Sequence, residues 1–407
     1  MDAVYGKSFI TIVAASAEGS NNGILFRRPP RRAITINGPG GQNDTCGIRK
    51  LFRDIAIQLQ QQTEGPAFLS QRDCLRMLPE SIPPRTADFR VTITAPKAFK
   101  DEPINGRAWA LQERFLSPRL LIYTWDELFW QCDAGIKSNL KENTSKRWHR
   151  QYKYRLPKNA AVDEVDWARI VDSYCSRNLT NSLDKLLAIS GLARRYQRQN
   201  EKVDRYLAGM WESHLPYSLL WVRDDAWSSF YYQPQVSQPT SYRAPSWSWA
   251  SVDGITSSHM IISSRRVPNA VIILKAHCEM VSSDDQFGLV KGGSLVLRGL
   301  VKRTSAIDFD TQSRGSSDPV LLAIDDKTGD EIEIGAVLLD QRSPRSLLHQ
   351  KILVPAYCLL VTPEPEPFAL VLEAVEGRQG VYRRIGVCYL RIKGWFNIVA
   401  PQTVTVI

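Results

Sequence analysis

Beyond Tyr242 the chain changes texture, and this change limits its possible folds more than any other feature. Short apolar runs recur at Val271–Leu274, Ser294–Leu297, Val320–Ile324, Ile332–Leu339, Ile352–Val361, Ala369–Val375 and Arg384–Ile392, separated by Gly, Pro and Asp turns. Such runs are short for helices, and the gaps between them suit hairpins better than crossover helices. The spacing predicts a mostly antiparallel β-sandwich or barrel over about 270–400.

The first 240 residues have a different pattern. Between 105 and 132, Trp109, Gln112, Glu113 and Leu116 recur at helical spacing, with Asn105 as the expected N-cap and Pro118 as the stop. This predicts a helix from about Gly106 to Ser117 with Trp109 and Leu116 turned inward. Leu120–Tyr123 and Leu128–Cys132 then read as two strands joined by a tight turn. Lys137–Lys158 is polar and basic, a surface excursion. One helix follows with Trp167, Ile170, Val171, Tyr174 and Cys175 on its buried face. A second follows Thr180 or Asn181, with Leu183, Leu186, Leu187 and Ser190 inward. A third is expected over Asp204–Trp211. Nearer the start, β-branched Ile10–Val13 suit a buried strand. Segment 37–47 reads as a Gly-rich turn, Leu51–Gln62 as a short helix, Pro83-Pro84 as forced extension and Arg90–Thr94 as a strand. The expected class is α+β: an α/β region over 1–132, a helical continuation over 133–240 and a β-rich, sandwich or barrel-like domain over 241–407.

With 407 residues, 43% of them hydrophobic, the chain can bury a core without disulfide or metal staples. Its net charge of +10 is concentrated before residue 241, which carries +9 of it. A basic surface of that kind faces solvent, nucleic acid, anionic lipid or an acidic partner. Seven cysteines with no C-x-x-C pair, and five histidines off metal-ligand spacing, point to no zinc site, no disulfide framework and a reducing, cytoplasmic setting. No apolar run reaches the length of a membrane span.

Chemical motifs are few. Gly6-Lys7-Ser8 lacks the upstream glycine of a phosphate-binding loop, and H-E-x-x-H, G-x-S-x-G and G-x-G-x-x-G do not occur. Glu212-Ser213-His214 holds the residue types of a hydrolytic triad, but adjacent residues on a helix point apart. Glu113 is the carboxylate to watch. Its apolar neighbours predict partial burial, and a buried carboxylate is either ion-paired, here with Arg107 or Arg119, or has a raised pKa at a working site. Trp247 and Trp249, two apart in an extended stretch, are expected to share a strand face and wedge between the helical and β-rich parts.

The stretch Gly106-Arg107-Ala108-Trp109-Ala110-Leu111-Gln112-Glu113-Arg114-Phe115-Leu116-Ser117-Pro118-Arg119 resembles a signature of fungal heterokaryon incompatibility (HET) domain proteins. Met1–Ala17 is similar to the strand that precedes it in that family. The resemblance continues through Asn178-Leu179-Thr180, Asp184-Lys185-Leu186, Ala188–Ala193 and Tyr206–Trp211. It then reaches Arg243-Ala244-Pro245-Ser246-Trp247-Ser248-Trp249-Ala250 and Arg384-Ile385-Gly386-Val387. The family's opening motifs are absent, so the resemblance implies an N-terminally truncated domain with its full C-terminal extension. It further implies a signalling or interaction role of the kind found in non-self recognition and programmed cell death, with protein partners, no cofactor and no catalysis by the truncated chain. A TIR-like NAD hydrolase using Glu113 is the enzymatic alternative. A third reading is a basic nucleic-acid-binding module built on Trp125, Trp130, Trp148 and Tyr152 with Lys146, Arg147, Arg150 and Lys153.

Overall fold

The computed structural model describes residues 2–18, 33–37, 88–92, 102–124, 128–132, 135–138, 164–200, 203–223, 239, 241–254, 256–257, 268–309, 319–326, 328–340, 351–352, 356–363, 365 and 367–407. The Gly-rich segment past Asn37, the helix expected at 51–62, Pro83-Pro84 and the excursion past Ser138 lie outside these residues. The chain divides into two units, residues 1–18 with 103–407, and residues 19–102.

The larger unit opens with α1 (Asp2–Gly6), which the sequence reading did not foresee, and β1 (Thr11–Ala14). In the smaller unit, β2 (Ala33–Asn37) pairs antiparallel with β3 (Asp88–Thr92), which takes in part of the strand expected at 90–94.

Back in the larger unit, α2 spans Ala108–Leu116. Its N-cap is Arg107, which has extended backbone and makes no side-chain cap. Asn105, the expected cap, lies inside the preceding 3₁₀ turn Pro103–Gly106, whose carbonyl of Ile104 accepts from Arg107 N–H. The helix stops where the sequence requires it. Ser117 precedes Pro118 and is extended at ψ 126°, because proline's ring disfavours the helical region for its neighbour. The buried residues are Ala108, Ala110, Leu111, Gln112 and Leu116, and Trp109 is half-buried and packs against the same core, at the edge of the inward face and not at its centre.

Strand β1 runs parallel to β4 (Leu120–Tyr123). Antiparallel β5 (Leu128–Cys132) and β6 (Gly135–Ser138) complete a sheet of order β1-β4-β5-β6. Among the described residues β1 is therefore an edge strand, and its Ile12 is 57% exposed where a buried strand was expected.

Helix α3 (Glu164–Cys175) buries Trp167, Ile170, Val171, Tyr174 and Cys175, the predicted face. After it, Asn181 Oδ1 accepts from Leu183 N–H and caps a 3₁₀ turn, Ser182–Lys185. Helix α4 (Leu187–Gln199) follows. Its buried stripe is Ala188, Ile189, Leu192, Ala193 and Tyr196, whereas Leu183 is exposed and Leu187 and Ser190 are half-buried. The intervening turn shifted the phase of the expected face.

The helix expected at 204–211 is a two-stranded hairpin, β7 (Tyr206–Leu207) and β8 (Met210–Trp211). Its turn residues Ala208 and Gly209 both have positive φ, 46° and 98°, which no right-handed helix tolerates. Strands β9 (Val222–Arg223) and β10 (Thr256–Ser257) pair antiparallel.

Beyond residue 270 the expected β domain is present as a ten-stranded sheet. Its strands are β11 (Ile272–Met280), β12 (Val290–Arg303), β13 (Ala306–Asp308), β14 (Val320–Ile324), β15 (Glu331–Leu339), β16 (Lys351–Ile352), β17 (Ala356–Thr362), β18 (Phe368–Ala374), β19 (Val381–Leu390) and β20 (Pro401–Val406). Ladders β12–β17, β17–β18, β18–β19, β19–β20 and β20–β12 close on themselves, so these five strands form a ring. All its ladders are antiparallel except β19–β20. Its residues alternate between two cores. Leu359, Leu370, Val387 and Val404 join the core shared with α2, α3 and α4, while Cys358, Val371 and Cys388 face a second core with β13–β15 residues. Burial on both faces is why these strands read as unbroken apolar runs. The protein is thus an α+β molecule with a large β-sheet region.

Candidate functional site

The segment Arg243–Ala250 forms turns leading into a 3₁₀ turn, Trp249–Ser251, so Trp247 and Trp249 do not share a strand face as expected. Both rings are nonetheless buried. Pro245 and Ser248 are buried beside them, and Ser246 is half-buried. The segment ties the helical part to the β ring. Toward the helices, Trp249 packs edge-on against Tyr174 at 5.9 Å between centroids. Trp249 Nε1 and Trp167 Nε1 both donate to Gly209 O at 3.0 Å, and Ser248 Oγ donates to Ala208 O at 2.5 Å. The positive-φ turn of the hairpin thus presents both of its carbonyls to indole and hydroxyl donors. Trp221 Nε1 donates to Trp247 O at 2.9 Å.

Toward the ring, Ser246 N–H and Oγ both donate to Ile407 O, and Arg384 N–H donates to Ser246 Oγ at 2.9 Å. A Cβ on Gly293 of β12 would lie 2.6 Å from Pro245 Cγ, so glycine is what allows the segment this close. Arg243 anchors the start. Its Nε donates to Ala250 O at 2.6 Å, and its Nη1 reaches Ser182 O at 3.0 Å and Asp253 Oδ1 at 2.7 Å.

Two buried charge clusters flank this knot. Lys185 Nζ donates to Val252 O and sits 5.6 Å from the Trp249 ring; burial lowers its pKa. Arg384 stacks 3.4 Å over Trp221 and donates to Trp221 O at 2.5 Å and Asp340 Oδ1 at 3.0 Å. Arg223 donates to Asp340 O at 3.1 Å. Burial pushes Asp340 up to about 6, against the pull of Arg384 and then Arg223. Lys185 and Arg384 lie within stretches marked by the family resemblance, but Asp340 and Arg223 carried no sequence signal. An acidic residue at a strand end reads as an ordinary turn residue until the partner guanidinium is placed.

The residues of the 106–119 stretch are used in packing and capping. Gly106 O accepts from Asn178 N–H at 2.7 Å, and Arg107 bridges Asn178 with its side chain exposed. Gln112 Oε1 accepts from Gly191 N–H at 3.1 Å, holding α2 to α4 where glycine lets them meet. Arg114 donates to Gln131 Oε1 at 3.2 Å. Ser117 Oγ donates to Glu113 O at 2.7 Å and meets Thr11 Oγ1 at 2.8 Å. Arg195, unforeseen, closes the helix end through Phe115 O and Leu116 O.

Glu113 is half-buried and does not pair with Arg107 or Arg119. Its carboxylate lies near the Tyr5 phenol, which is pushed up by burial and then by Glu113. Arg119 instead donates to Phe9 O at 3.3 Å and covers that ring. The triad types also separate. Ser213 Oγ donates to Asp204 Oδ2, Glu212 pairs with Arg205, and His214 Nε2 lies 3.0 Å from Tyr196 OH. Of the aromatic–basic set, Trp130 is half-buried in β5, and Trp125, Lys146, Arg147, Trp148, Arg150, Tyr152 and Lys153 lie outside the described residues. Among the described residues, no helix is long and apolar enough to cross a membrane. No protein-family description, curated protein or solved structure gives a match to the chain.

Proposed function

We propose that the chain acts as an interaction and signalling protein of the heterokaryon-incompatibility type, in a reducing cytoplasmic setting, with protein partners and without catalysis of its own. One observation carries this reading. The residues of the two motif stretches, Gly106–Arg119 and Arg243–Ala250, are spent on joining elements to each other. Trp247, Trp249, Ser248 and Gln112 face protein on all sides. Motifs used this way make a rigid scaffold, which suits a protein that works by presenting a surface.

The enzymatic alternative has one observation in its favour, since Glu113 keeps a half-buried carboxylate with no cationic partner among the described residues. Incubating the purified chain with NAD separates the two. The interaction reading expects no turnover above buffer. Nicotinamide release that vanishes in Glu113→Gln overturns it.

A further inference from the structure

Strands β11, β12 and β20 lie side by side and turn Ala276, Leu295, Leu297, Val404 and Val406 into the core. The alternate residues must therefore face away from it. In register, Ile272 lies opposite Arg298 and Arg298 opposite Thr403; Lys275 lies one row on, opposite Val296, which faces Thr405. The ladder is irregular between Ile273 and Lys275, which turns Leu274 outward as well. Ile272 is 61% exposed and Leu274 51%.

Among the described residues, the positive charge on this face is unmatched. Its one carboxylate on β11, Glu279, is taken by Lys291 at 2.9 Å. Lys275 and Arg298 have no carboxylate partner among the described residues. Elsewhere on the same sheet Lys302 pairs with Asp326 and Arg391 with Glu333. Two unpaired cations beside two exposed aliphatic side chains on a rigid sheet form a surface with a definite complement. That complement carries carboxylates next to aliphatic groups.

We propose that this face docks an acidic, aliphatic peptide segment of a partner protein, a proposal that rests on the interaction reading above. The segment lies across the face and does not extend the sheet, because Arg205 Nη2 already donates to Ala276 O on the edge strand at 2.7 Å. A polynucleotide is the poorer complement. Ile272 and Leu274 offer a base no aromatic ring to stack on, and they match aliphatic side chains.

Fluorescence anisotropy with a short labelled peptide of alternating Glu and Leu tests this. An alternating Lys–Leu peptide and a single-stranded oligothymidylate serve as comparisons. The Glu–Leu peptide is expected to bind, more weakly as salt rises. Lys275→Glu with Arg298→Glu should weaken it about tenfold or more. Ile272→Ser with Leu274→Ser should weaken it too, and both pairs should melt at the parent temperature because the side chains are exposed. No binding of the Glu–Leu peptide, binding indifferent to the charge reversal, or tighter binding of the oligothymidylate at these residues overturns the proposal. The outcome is independent of the NAD assay. A chain that hydrolyses NAD and still binds the acidic peptide at this face loses only the non-catalytic reading.

Discussion

At the scale of single residues, the knot depends on a few positions with no room for alternatives. Gly209 is the sharpest case. Its φ of 98° disfavours any side chain, and an added Cβ would lie 2.7 Å from the Trp249 ring. Gly209→Ala should destabilise the protein by about 1–3 kcal/mol from backbone strain alone, with the ring clash in addition. Urea unfolding of the two proteins measures it, and equal midpoints would refute the close approach. Asp340 predicts a pH dependence. Its folded-state pKa of about 6 lies above the ordinary aspartate value of 3.8, so between those values the folded state holds the proton more tightly than the unfolded state. Its contribution is fully present below about 4 and is lost as the pH rises through about 6. The parent should therefore lose stability relative to Asp340→Asn between pH 4 and 7. A flat difference would contradict the assignment.

At the scale of elements, legibility followed how local the determinants are. The end of α2 at Pro118, the β4–β5 pair and the face of α3 were all readable, because each rests on spacing or on a proline within a few residues. The face of α4 was not. The turn Ser182–Lys185 belongs to no helical repeat, so counting inward positions across it put Leu183 and Leu187 on the wrong side. Leu192→Ala should accordingly cost about 2–5 kcal/mol, and Leu183→Ala well under 1 kcal/mol, in chemical denaturation. The reverse order would restore the original phase. The hairpin at 206–211 was missed because its two positive-φ residues have a helix-like alanine as the first, and alanine carries no turn signal. Strand β1 was readable as a strand but not as an edge, since its pairing is set by β4 more than a hundred residues away. The site divided similarly. The tryptophans at 247 and 249 announced a junction, whereas Glu113 gave no hint that its neighbour would be Tyr5 in place of an arginine.

At the scale of the whole molecule, the helical part and the β ring of the larger unit are expected to unfold as one cooperative body, joined through Arg243–Ala250. Residues of α2, α3, α4 and the ring share one buried core, and the knot bonds to both sides of it. At the same seam Lys185 donates to Val252 O, and Arg384 is held by Trp221 O and Asp340, whose removal leaves the buried guanidinium without its carboxylate. The surface proposed for the partner lies on β11 and on ring strand β12, with which β11 pairs, so its rigidity depends on that seam. Native-state hydrogen exchange followed by peptide mass spectrometry tests the claim most directly. Slowly exchanging amides of α3, α4, β12 and β19 should open with a common free energy, and Trp247→Ala should lower all of them together by about 3–5 kcal/mol. If the β12 and β19 amides keep their protection while those of α3 and α4 lose theirs, the two parts are separate bodies and the account is wrong.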